Sequence, residues 1–137
     1  MKLGNIVDLS GNVLGSHNGL YRYTIGQRKG LGISNQVPLF VVGFNKEKNE
    51  LIVGEEKDLY KTNFYVSDFN LLVDNFPSKL DVKIRYSSKF AKATLVIEDS
   101  NIHVILDEPQ KSITPGQSAV FYDNDIVIGG GKINATI

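Results

Sequence analysis

Three segments, LDVKIRY (80–86), AKATLVI (91–97) and IHVIL (102–106), place apolar side chains at every second position. That period suits a strand with one buried face, because successive side chains leave a pleated strand on opposite sides. If SSKF (87–90) and EDSN (98–101) act as four-residue hairpin loops, one register satisfies all three segments. Tyr86 then faces Ala91, Ile84 faces Ala93, Val82 faces Leu95 and Leu80 faces Ile97. On the other side Ile97 faces Ile102, Leu95 faces Val104 and Ala93 faces Leu106. Every inward pair is apolar. With FYVSDFNLLV, QSAVFY and DIVIGGGKI the count reaches six strands, enough to close a small antiparallel β-barrel over residues 62–137.

The first 61 residues read as a smaller β-rich domain. NIVDL, NVLGSH, LFVVGF and ELIVGE are short β-branched runs, with SGN and NKEKN as turns between them. Helix is confined to short pieces around Tyr23–Lys29 and Lys57–Lys61. The fold class is therefore mainly β. TPGQ (114–117) has Pro and Gly where a type II turn wants them, and the triplet Gly129–Gly131 allows a bulge or a close backbone approach.

Hydrophobic residues make up 42% of the 137 and charged residues 22%, as in a folded protein rather than a disordered one. No apolar run approaches the ~20 residues of a membrane helix, and no signal peptide is evident, so the chain is expected in the cytoplasm. The absence of cysteine excludes disulfides, thiolate metal sites and a cysteine nucleophile. Net charge is zero but unevenly spread: residues 76–92 hold five cations and one acid, and residues 93–137 hold two and six. In the hairpin register above, Arg85 lies opposite Lys92, with Lys83 and Lys89 nearby. Like charges across a strand pair are destabilising. Asp107 offsets Lys92 from the next strand, which leaves Lys83, Arg85 and Lys89 as an uncompensated patch. Such a patch is either a solvated face or an anion-binding one.

YTIGQRKGLG (23–32) has the composition of a phosphate loop but neither the P-loop nor the dinucleotide spacing, and no Ser or Thr follows its lysine. It reads as a glycine-dependent turn, with Gln27 anchoring it and Arg28 and Lys29 free to reach an anion. SHNG around His17 reads as a turn, and His103 as an outward residue of a strand. Asp107 and Glu108 are adjacent and point opposite ways along a strand, so they are no acid–base pair. Nothing assembles a catalytic or a metal site.

GLYRYTIGQRKGLGI, LFVVGFNKEKNELIVGE, VKIRY and TPGQSAVFYDNDIVIGGGKI, in this order, closely resemble the C-terminal part of tRNA-specific 2-thiouridylases across nearly the whole chain. The resemblance implies a central domain, truncated at its N-terminus, followed by an elongation-factor-like barrel that helps grip tRNA. The parent would be an ATP-dependent sulfurtransferase acting on the wobble uridine. ATP and Mg belong to its catalytic domain, whose S-G-G-x-D-S loop and catalytic cysteines are absent here, so this part carries no cofactor. By motif, the tRNA contacts would be Arg85, Tyr86 and Gln117. Lys83, Lys89, Arg28 and Lys29 are further candidates for RNA or interdomain contact. Expected partners are tRNA, the catalytic domain and a sulfur-relay protein; a membrane is not expected. The rival role is a protein-interaction module packed on that domain or on the sulfur donor. Ser87 and Ser88 stand where relatives often have a polar or basic residue and Gln, and PLF (38–40) replaces an aromatic-rich P-W-[FY].

Overall fold

A computed structural model describes residues 3–84 and 89–136, and the chain divides into two compact units, residues 1–60 and 61–137. In the first unit, β1 (Gly4–Val7), β2 (Val13–His17), β3 (Phe40–Asn45) and β4 (Glu50–Gly54) form a sheet in the order β2-β1-β4-β3. β1 and β4 run parallel; the other neighbours are antiparallel. Ile6, Leu31, Val41, Leu51 and Val53 form its buried core.

Polar side chains shape the turns of this sheet. The Asp8 carboxylate accepts from the Ser10 and Asn12 amides at 2.9 and 2.8 Å, and from the Asn12 side chain at 3.1 Å. These bonds, the Asn12 backbone amide foremost, hold its carboxyl below the ordinary value of 3.8. His17 ends β2 rather than lying in an open turn. It is only 2% exposed, its Nε2 lies 2.8 Å from the Asn49 carbonyl, and its Nδ1 accepts from the Gly19 amide at 3.0 Å. The amide donor at Nδ1 requires the proton to sit on Nε2, so both ring nitrogens are satisfied.

No helix forms over Tyr23–Lys29. The chain makes a 3₁₀ turn at Leu20–Arg22, becomes extended at Tyr23, and then turns at Gly26, where φ is +93°. A helix cannot continue through that left-handed conformation. The second expected helical piece is a 3₁₀ turn at Glu56–Leu59, closed by a reciprocal capping box between Glu55 and Asp58. Its expected end, Lys61, already belongs to a strand.

The second unit is a closed six-stranded barrel, β10-β5-β8-β7-β6-β9 around the ring. The strands are β5 (Tyr60–Leu71), β6 (Leu80–Lys83), β7 (Ala91–Ile97), β8 (Ile102–Lys111), β9 (Ser118–Asp123) and β10 (Ile126–Thr136). Inward residues fill it, with Phe64, Phe121, Leu80, Ile102 and Ile133 nearly or fully buried. The glycine triplet on β10 is there because strands crowd it. A Cβ on Gly129 would meet the Asn70 carbonyl at 2.7 Å, and one on Gly131 would meet Val66 Cγ1 at 2.5 Å.

β7 and β8 pair in the expected register: Ala93 with Leu106, Leu95 with Val104, Ile97 with Ile102. β6 and β7 do not. Leu80 faces Ala93 and Val82 faces Ala91, four residues along β7 from the expected partners, with β6 closing at Lys83 and β7 opening at Ala91. An even shift leaves every inward residue inward, so alternation alone cannot detect it. Charge decides it. The expected register set Arg85 against Lys92, whereas the observed one sets Asp81 opposite Lys92, Oδ1 to Nζ 2.9 Å.

Candidate functional site

The corrected register reorganises the cationic patch. Lys92 is taken by Asp81, and Asp107, the expected offset for Lys92, instead pairs with Lys79. Among the described residues, Lys83 and Lys89 have no carboxylate partner within 4.0 Å. Lys83 closes β6 on the outer surface, opposite Val120 of β9, and its Nζ lies 5.5 Å from the centroid of the Phe90 ring. Phe90, 50% exposed, packs edge-to-face on Tyr122 of β9, centroids 4.8 Å apart at 78°. Since Asp81 of β6 lies directly opposite Tyr122, the Phe90 ring reaches from the start of β7 across β6.

Gln117 sits one residue before β9, after the Thr114–Gln117 turn. Gly116 takes φ +97°, as a type II turn requires, and the Gln117 amide donates to the Thr114 carbonyl at 3.2 Å. The Gln117 carbonyl accepts from the Ile133 amide at 2.8 Å, which ties the turn to β10. Its side-chain Oε1 is buried without a hydrogen-bond partner, an arrangement that ordinarily costs about 1–3 kcal/mol. Arg85 and Tyr86 lie outside the described residues.

The loop YTIGQRKGLG folds back on itself. Gly26 donates to Val41 at 2.8 Å and Val41 to the Gln27 carbonyl at 2.9 Å, which sews it to β3. The Gln27 amide accepts from Thr24 at 3.1 Å and donates to the Lys29 carbonyl at 2.9 Å. These bonds fix the loop as a turn anchored by Gln27, with Arg28 and Lys29 exposed. His103, on the outer side of β8, is half-buried, with Nε2 2.8 Å from Asn63 Oδ1 and its ring 4.8 Å from that of Tyr65. Among the described residues no group of three or more His, Cys, Asp or Glu could hold a metal ion.

Sequence reasoning named Lys83, Lys89 and Gln117 as candidates and did not single out Phe90 or Tyr122. Phe90 read as the last residue of a loop and Tyr122 as the end of a strand. Their meeting depends on a side chain that crosses a strand, for which alternation carries no signal.

The barrel and the sheet together define a class. Residues 61–133 match the family described as the aminomethyltransferase beta-barrel domain, and residues 1–55 match the tRNA methyl transferase PRC-barrel domain. The chain belongs to the family these two domains define, and it corresponds to the C-terminal portion of the tRNA-specific 2-thiouridylases called MnmA. It is 51% identical over 141 residues to the tRNA-specific 2-thiouridylase of Clostridium botulinum (strain Alaska E43 / Type E3), covering all of this chain and 39% of that protein. To the enzyme of Acetivibrio thermocellus it is 45% identical over 137 residues, 97% of this chain and 38% of that protein. The chain thus spans about 39% of the length of the curated relatives it matches. Among its described residues no helix is long and apolar enough to cross a membrane.

Proposed function

We propose that this chain is the tRNA-gripping, non-catalytic portion of an ATP-dependent enzyme that thiolates the wobble uridine of tRNA. The observation that carries this reading is the split of charge between the two ends of the barrel. At the end where β5, β7 and β9 finish and β8 and β10 begin, the connections hold Asp74, Glu98, Asp99, Asp123 and Asp125. The one cation in these connections is Lys79, at the end of 72–79, and it is paired with Asp107. The opposite end carries Lys83 and Lys89, which among the described residues have no acidic partner. A polyanion approaching such a barrel is drawn to one end and repelled from the other. The domain descriptions and the relatives' names refer to different group transfers, so the shared folds do not by themselves specify a chemistry.

The test is titration with unmodified tRNA at low and high salt. Affinity is expected to fall steeply with salt, each lysine that neutralises a phosphate contributing roughly 0.7–0.9 to the log–log slope, the range between single strands and B-form DNA. Lys83→Ala with Lys89→Ala is expected to flatten the slope by about two such contributions, and Arg85→Ala to weaken binding further.

One observation favours a second reading, a protein-interaction surface. The acidic end also exposes Leu72, Val73, Ile126 and Val127, an apolar group rimmed by carboxylates that suits a protein with basic flanks. Absence of tRNA binding at either salt transfers the grip to the rest of the parent enzyme and leaves this reading in its place.

A further inference from the structure

We propose that Phe90, braced by Tyr122 and Lys83, is a stacking site for an unpaired RNA base. The inference rests on the tRNA-binding reading and names a contact of that site. The inside of the barrel is already filled at this level by Val82 and Phe121, both fully buried, so Phe90 is not a core residue left short of space. Its ring lies on the outer surface of β6 with half its area in water, although an aliphatic or polar residue would cover the strand at less cost.

Two neighbours fix the ring. Tyr122 meets it edge-to-face, a favourable quadrupole arrangement, and the Lys83 ammonium approaches it within cation–π range. Both hold the ring in one orientation before any ligand arrives. The charges select the ligand. Lys83 lies beside the ring and Lys89 precedes it in the chain, and among the described residues neither has a carboxylate within 4.0 Å. Asp107 and Glu108 line the same depression as Phe90, with Asp107 taken by Lys79. Lysine is depleted at protein–protein interfaces, whereas an aromatic face beside free ammonium groups matches a base next to its own phosphates. A paired base is stacked within its helix, so the ring can take only a base that is splayed out.

The chain contains no tryptophan, which supplies a direct probe. Phe90→Trp would introduce its sole indole at the site. Unmodified tRNA is expected to quench the indole emission with the same midpoint as binding measured independently by filter retention. A blunt-ended RNA duplex is expected to bind through its phosphates without quenching. Phe90→Leu, which keeps apolar cover but removes the aromatic face, is expected to weaken tRNA binding ~10-fold and leave duplex binding unchanged. Retention of tRNA without quenching, together with wild-type affinity in Phe90→Leu, would overturn the stacking site and leave the tRNA reading standing. Failure of the wild-type chain to retain tRNA at low salt would overturn both.

Discussion

The two units of this chain secure their folds by different means. The barrel relies on volume: its interior is filled by side chains from all six strands, including two fully buried phenylalanines. The four-stranded sheet has only five buried hydrophobic residues in its core cluster and adds polar pins: the His17 ring, the Gln27 amide and the Asp8 carboxylate. A closed barrel leaves no sheet edge, and packing is its main support, with the Asp81–Lys92 pair fixing the β6–β7 register. A small open sheet buries too little to fix its connections by packing, and side-chain hydrogen bonds do so instead.

The largest effect expected from this contrast is in the barrel. Phe121→Ala should cost about 3–5 kcal/mol, read by denaturant unfolding and by hydrogen exchange at barrel amides. Equal loss of protection in β1–β4 would show that the two cores melt as one and would dissolve the contrast. A smaller effect is expected from His17→Leu, which keeps the bulk but strands the Gly19 amide and the Asn49 carbonyl. About 1–3 kcal/mol should be lost, with exchange accelerated at Gly19 and around Asn49. No change in either would mean the ring fills space and pins nothing.

The smallest effect is pH-dependent. The folded Asp8 carboxyl titrates below its ordinary 3.8, so its contribution is complete above the unfolded value and disappears as pH falls through the folded one. Asp8→Asn should therefore lower stability modestly at neutral pH, and the gap from wild type should close in acid below pH 3.8. A gap that persists unchanged in acid would assign the turn to its shape rather than to its charge.

Much of the barrel was legible from alternation. Leu80, Val82, Ala93, Leu95, Ile102, Val104 and Leu106 are buried as expected, whereas Ile97, expected inward, is 43% exposed and Tyr86 lies outside the described residues. The β7–β8 register is the expected one, because EDSN does form a tight turn with the Glu98 amide on the Asn101 carbonyl at 2.8 Å. The β6–β7 register was lost where SSKF looked like an equivalent turn. The juxtaposition of Arg85 and Lys92 was already a physical objection, and Asp81 supplied the alternative. In the site, charge unpaired in the sequence was visible at Lys83 and Lys89, and Gln117 was named only through the family motif. The Phe90–Tyr122 contact and the burial of His17 were not legible, since each joins residues from separate elements through the third dimension.

The pairing of β5 with β10 joins the first strand of the barrel to its last: Phe64 lies beside Thr136 and Leu71 beside Gly129. During synthesis, β5 leaves the ribosome long before its neighbour exists. Until β10 arrives, β5 and β9 each present an unpaired edge, the kind of surface on which chains associate wrongly. Closure is therefore a late event with a large loop-entropy cost, and slow translation or a missing β10 would leave a sticky, half-built cylinder.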